Sequence, residues 1–140
     1  MKLILPVSLG ILLTGCITFP SPSQEDILAM NFEELCLHSA SVYYEDDSIN
    51  AAYAELKANH VTAKELRWIQ KEAIAIGMTQ KVLFCARGAT RHSTDMVSQY
   101  GTSRVLRYGS ESAVYLHDGK VTSWYGNPRK LRIYSWPKNW

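Results

Sequence analysis

An Asp-Gly pair at 118–119 lies between two runs that alternate apolar and polar residues, Ala113 to His117 and Lys120 to Trp124. Two-residue hairpin loops of type I′ need positive φ at both central positions, and Asp-Gly meets that need well. The pair therefore specifies a tight antiparallel hairpin. A fixed loop fixes the register: Leu116 is expected opposite Val121, Val114 opposite Ser123, and Ala113 opposite Trp124. One face then carries Val114, Leu116 and Val121. The other carries Tyr115, His117, Lys120, Thr122 and Trp124. The aliphatic face is expected to cover the helices and the aromatic–polar face to be the wetter one. Just upstream, Arg91 to Val97 and Ser103 to Tyr108 form two more candidate strands around Gln99-Tyr100-Gly101-Thr102.

Before Gly88 the period is helical. Asn31 with Glu34 has capping-box spacing, and Phe32, Leu35, Cys36 and Ser39 share one face. Glu45-Asp46-Asp47-Ser48 ends that helix and can cap the next, in which Ile49, Ala52, Tyr53 and Leu56 repeat at helical spacing up to a stop at Asn59. Thr62 with Glu65 is a second capping box, opening a helix with Leu66, Ile69, Ala73 and Ile74 inward. Thr79 caps a last helix, with Val82, Cys85 and Ala86 as its stripe and Gly88 as its stop. Helices first and a meander second predict an α+β fold, with N-terminal helices packed on a three- to four-stranded antiparallel sheet.

The N-terminus reads as an address. Lys2, an apolar stretch from Leu3 to Leu13 and small residues before a cut site make residues 1–15 a secretory signal. Cys16 follows Leu13-Thr14-Gly15 and resembles the bacterial lipobox, in which the Cys is acylated and becomes the new N-terminus. The resemblance implies acylation of Cys16, and each buried CH₂ of such chains adds about 0.8 kcal/mol of membrane affinity. Ile17 rather than Asp, by resemblance to enteric sorting rules, implies the outer membrane, periplasmic side. Residues 16–30 are expected to be a tether, with Pro and Ser over 17–24, and 31–75 a helical prefix. The periplasm is oxidising, so Cys36 and Cys85 are expected to form a disulfide. The rival is a catalytic Cys with a His base, and no local signature supports it.

Composition excludes more than it selects. A length of 140 residues fits one domain, and no apolar run reaches the roughly 20 residues of a membrane helix. A net charge of +2 gives no reason to expect nucleic acid. His38, His60, His92 and His117 lack i, i+4 spacing, so no metal site is expected; Gly109-Ser110-Glu111-Ser112 is not Gly-x-Ser-x-Gly and no phosphate-cradling Gly loop is present, so no catalytic residue or cofactor is expected either. Charge is nonetheless uneven: residues 16–80 hold four Lys+Arg and ten Asp+Glu, whereas 81–140 hold ten and three. Eight of the fifteen aromatics lie in 100–140, so the C-terminal part is basic and aromatic together.

Ile76-Gly77-Met78-Thr79, the short helix, Gly88, and Tyr115-Leu116-His117-Asp118-Gly119-Lys120-Val121-Thr122-Ser123 together resemble the small outer-membrane lipoproteins of the SmpA/BamE (barrel-assembly accessory) class over roughly residues 74–126. Gly88-Ala89-Thr90 stands where that class usually has Gly-x-Pro, and its core domain has neither the helical prefix nor the Cys pair. The resemblance implies no catalysis and a role through contact with an envelope protein such as the assembly machinery. The same fold in secreted inhibitors gives the alternative of an inhibitor or exclusion lipoprotein. Candidate contact residues are Tyr115, Thr122 and Trp124 on the sheet, extended by Tyr108. Arg132, Tyr134 and Trp136 join them from the basic aromatic tail, 127–140, where an edge strand, a lipid contact or a partner contact are all open. The oligomeric state is not set by the sequence.

Overall fold

A computed structural model describes residues 20–128 except 89 and 91. Five helices precede a four-stranded antiparallel meander: α1 (Gln24–Ala29), α2 (Phe32–Ser39), α3 (Asp46–Asn59), α4 (Ala63–Gln70), α5 (Gln80–Arg87), then β1 (Ser93–Ser98), β2 (Gly101–Arg107), β3 (Ala113–His117) and β4 (Lys120–Tyr125), in spatial order β1-β2-β3-β4. The α+β layout expected from the change of period is the observed one. Residues 1–19 and 129–140 lie outside the described residues, and with them Cys16, Arg132, Tyr134 and Trp136.

Local chemistry sets the helix starts. Asn31 accepts from the backbone N–H of Glu33 and Glu34 while Glu34 accepts from Asn31 N–H; Thr62 and Glu65 repeat the reciprocal arrangement. Thr79 accepts from Val82 N–H. Such caps satisfy backbone donors that the first helical turn leaves orphaned. Glu45 caps α3 with no side-chain hydrogen bond.

Two expectations fail here. The tether is expected to reach residue 30, but Ser23 and Asp26 form a third capping box and open α1, whose Ile27 is buried. The helix opened by Thr62 is expected to run through Ile74, but α4 stops at Gln70. Glu72 takes φ 51°, its N–H bonds Ile69 O, and Ala73 N–H bonds Trp68 O. This is a Schellman stop with Glu where Gly is usual, so no glycine in the sequence announces it.

The core is one cluster. Ile27, Leu35, Ala52, Leu56 and Leu66 from the first four helices join Val82 and Leu83 of α5, and with them Leu106, Val114, Leu116 and Val121 from one sheet face. Cys36 on α2 and Cys85 on α5, both buried, are joined by a disulfide with Cα atoms 5.2 Å apart. Both thiols are joined in that bond, the pairing expected from the sequence.

His38 is a buried titratable group of the helical layer. Its ring stacks on Tyr44 with centroids 4.1 Å apart, and Nε2 lies 3.2 Å from Ser48 Oγ. The Ser48 hydroxyl donates to Glu45 O, so it accepts from His38 and assigns the Nε2–H tautomer. Burial pushes the His38 pKa below the ordinary 6.5, and the backbone of Ser48 opposes this more weakly. The unfolded chain therefore takes up this proton first as pH falls. The stability involved is present above about pH 6.5 and is lost as pH drops below it. Urea midpoints should accordingly fall between pH 7.5 and 5.5, and His38→Gln should make that fall smaller. An equal fall in the variant would show that His38 is not responsible.

Candidate interaction face of the sheet

The β3–β4 hairpin has the expected two-residue loop, with Asp118 at φ 47° and Gly119 at φ 74°. Leu116 pairs with Val121 as the loop dictates. Beyond that point the expected register is wrong by one residue. A register shift between Tyr115 and Leu116 sets Tyr115 opposite Ser123, Val114 opposite Trp124 and Ala113 opposite Tyr125. Thr122 is the extra residue of the bulge, and its hydroxyl donates to Tyr115 O. One inserted residue reverses which face every later side chain occupies.

The consequence falls on the candidate residues. Tyr115 and Thr122 are exposed on the outer face, as expected. Trp124 is not with them: paired with Val114, it stands by register on the helix side of the sheet and is 41% exposed. Tyr125 takes its place, with its ring 6.4 Å from that of Tyr115 in a tilted pair. Sequence reading overlooked Tyr125 because the bulge leaves no residue signature in an alternating run.

Tyr108 also leaves the list. It follows Leu106 by two residues, and so faces the core with it. It is buried, its hydroxyl donates to Gly88 O at 2.9 Å, and burial pushes its pKa well above the ordinary tyrosine value. Its backbone N–H bonds Ser112 O and its carbonyl accepts from Ser112 Oγ, closing the β2–β3 connection.

The outer face is thus a row across the sheet, Thr94–Val105–Tyr115–Ser123 by register, flanked by Met96 and Tyr125. Polar groups rim it. His117 Nδ1 lies 3.2 Å from Ser103 Oγ. Asp118 exchanges backbone and side-chain hydrogen bonds with Thr102 at the β2–β3 end, accepting from Thr102 N–H at 3.0 Å. That contact needs Gly101, because a Cβ there would stand 2.6 Å from Asp118 Oδ1. Tyr115 and Tyr125 remain 38% and 43% exposed. Aromatic rings held on a rigid sheet supply contact area with little entropy to lose, a property of interface hot spots.

Among the described residues no group of three or more His, Cys, Asp or Glu could hold a metal ion, and no helix is long and apolar enough to cross a membrane. Fold and face together define a disulfide-clamped α+β domain that presents an aromatic sheet face. No family model, curated protein or solved structure matches the chain.

Proposed function

We propose that this chain is a non-enzymatic lipoprotein, anchored through acylated Cys16 to the periplasmic side of the outer membrane, that acts by contact with another envelope protein. The lipobox-like Leu13-Thr14-Gly15-Cys16 supports the anchor. The observation that carries the contact reading is the exposed Tyr115–Tyr125 pair on the outer sheet face. The resemblance of residues 74–126 to the SmpA/BamE class makes a component of the outer-membrane assembly machinery the first partner to look for.

The test is recovery of partners from detergent-solubilised envelopes with an internally tagged chain, alongside labelling of Cys16 by a palmitate analogue. Tyr115→Ala/Tyr125→Ala should keep the thermal midpoint within a few degrees, since surface changes of this kind usually move stability little, yet reduce partner recovery at least tenfold. Full recovery with the double variant would remove the face from the proposal. Absence of label at Cys16 would remove the anchor.

A further inference from the structure

The helical layer is acidic, and its few cations are not spread through it. Between residues 16 and 80 the Lys and Arg are Lys57, Lys64, Arg67 and Lys71, all within one short stretch. Lys64 lies over the Trp68 ring, with Nζ 4.9 Å from the centroid. Lys57 and Arg67 instead line one groove between α3 and α4, with a volume of about 460 Å³. Helical spacing brings them there. Asn50, Tyr53 and Lys57 stand at i, i+3 and i+7 along α3, and Leu66, Arg67 and Gln70 at i, i+1 and i+4 along α4. No carboxylate lines the groove. All 13 Asp and Glu of the chain lie among the described residues, and neither Lys57 nor Arg67 forms an ion pair with any of them. Both cations stand in last helical turns, where the helix dipole favours positive charge. The dipole accounts for each position taken alone. It supplies no counter-charge to two cations that share one groove.

We propose that this groove binds a phosphate monoester carried on a compact apolar body, with the phosphate at Lys57 and Arg67 and the body against Tyr53, Ala54 and Leu66. Size sets the scale of the ligand: about 460 Å³ falls in the range of roughly 300–1,000 Å³ usual for small-molecule sites. Charge selects the head. A guanidinium presents a two-pronged fork of donors and an ammonium a point charge. A phosphate monoester brings three acceptor oxygens and about −1.5 to −2 charges at neutral pH, so one head answers both cations. A single carboxylate brings one charge on two oxygens and leaves one cation without compensation. The groove lining selects the body: Leu66 is buried, Tyr53 is half-buried, and Ala54 joins them on the lining. Asn50 and Gln70 add amides that both donate and accept. A soluble ester and a phosphatidic acid headgroup carry the same chemistry, and the test separates them. This inference does not depend on the partner reading of the sheet face.

The test uses the full-length chain in neutral detergent, titrated with phenyl phosphate and followed by backbone amide shifts. The shifts should saturate and concentrate on α3 from Asn50 to Lys57 and on α4 from Leu66 to Gln70. Inorganic phosphate and phenol, the two halves of the probe, should each bind at least tenfold more weakly. Lys57→Gln and Arg67→Gln should each raise Kd at least tenfold with an unchanged circular dichroism spectrum. Ala54→Leu keeps both cations but fills the apolar side of the groove, and it should weaken binding as much. For the lipid source, the chain is placed in phosphatidylcholine nanodiscs with and without phosphatidic acid, and acetylation of Lys57 is measured by mass spectrometry. Protection by phosphatidic acid that is lost in Arg67→Gln would assign a lipid headgroup. Protection by phenyl phosphate alone would assign a soluble ester. Neither shifts nor protection with either probe would overturn the proposal. Equally tight binding of inorganic phosphate or of benzoate would overturn the ligand class, and undiminished affinity in Lys57→Gln/Arg67→Gln would overturn the site.

Discussion

Replacing both Cys36 and Cys85 with Ser is expected to lower the thermal midpoint by roughly 15–25 °C. The bridge spans 49 residues. On the chain-entropy account a loop of that size restricts the unfolded ensemble by about 4 kcal/mol, a large part of the 5–15 kcal/mol typical of a whole domain. Placement adds to the effect. α1 and α2 pack on α3, and α4 packs on α5. The disulfide ties α2 directly to α5, and α5 contributes Val82 and Leu83 to the core shared with the sheet. Loss of the bridge should therefore loosen the N-terminal helices first. Hydrogen exchange of the reduced protein should show α1 and α2 losing protection before β2 and β3 do. A midpoint shift under about 5 °C would mean that the native state is held by packing alone and that the loop restriction is offset elsewhere.

Much of this architecture is written in short-range chemistry. The capping pairs Asn31/Glu34 and Thr62/Glu65, the Thr79 cap and the Asp118-Gly119 loop each act over two to four residues. Each produced the element expected. The cysteine pairing was legible because only two cysteines follow Cys16 and both fall on inward helical faces. What failed needed longer-range information. Glu72 occupies a left-handed position that sequences usually mark with Gly, and the strained stop is held by the hydrogen bonds around it. α1 is six residues long, too short for a period to stand out beside Pro20 and Pro22.

The candidate face shows the same division at single-residue scale. Tyr115 and Thr122 were legible because they precede or sit at the bulge. Trp124 and Tyr125 come after it and exchange faces. Nothing in Thr122-Ser123 marks the insertion, since either residue is at home in a regular strand. The charge asymmetry of the chain has a local explanation in its acidic half: Glu25, Asp26, Glu33, Glu34, Asp46, Asp47 and Glu65 all stand in first helical turns, where the helix dipole favours them.

Tyr108→Ala is expected to destabilise the fold by about 3–5 kcal/mol, the range for truncating a large buried aromatic. The side chain is 3% exposed and belongs to the cluster that joins helices to sheet. Two consequences separate this core role from the expected role as an extension of the aromatic sheet face. First, Tyr108→Phe keeps the ring but leaves Gly88 O without the hydroxyl that donates to it. An acceptor stranded in the interior costs about 1–3 kcal/mol, so the conservative variant should also be measurably less stable in urea unfolding. Second, Gly88 closes α5 at φ 84°, and Tyr108 leaves β2 toward the β2–β3 connection. The hydroxyl therefore pins the end of the last helix to the sheet. Loss of that pin should show in amide exchange at Gly88 and Thr90 before it shows in the hairpin. If Tyr108→Phe matched the parent protein in stability and in exchange at these positions, the hydroxyl would have no structural role. If Tyr108→Ala stayed folded with an unchanged midpoint, the placement of this residue in the core would be wrong.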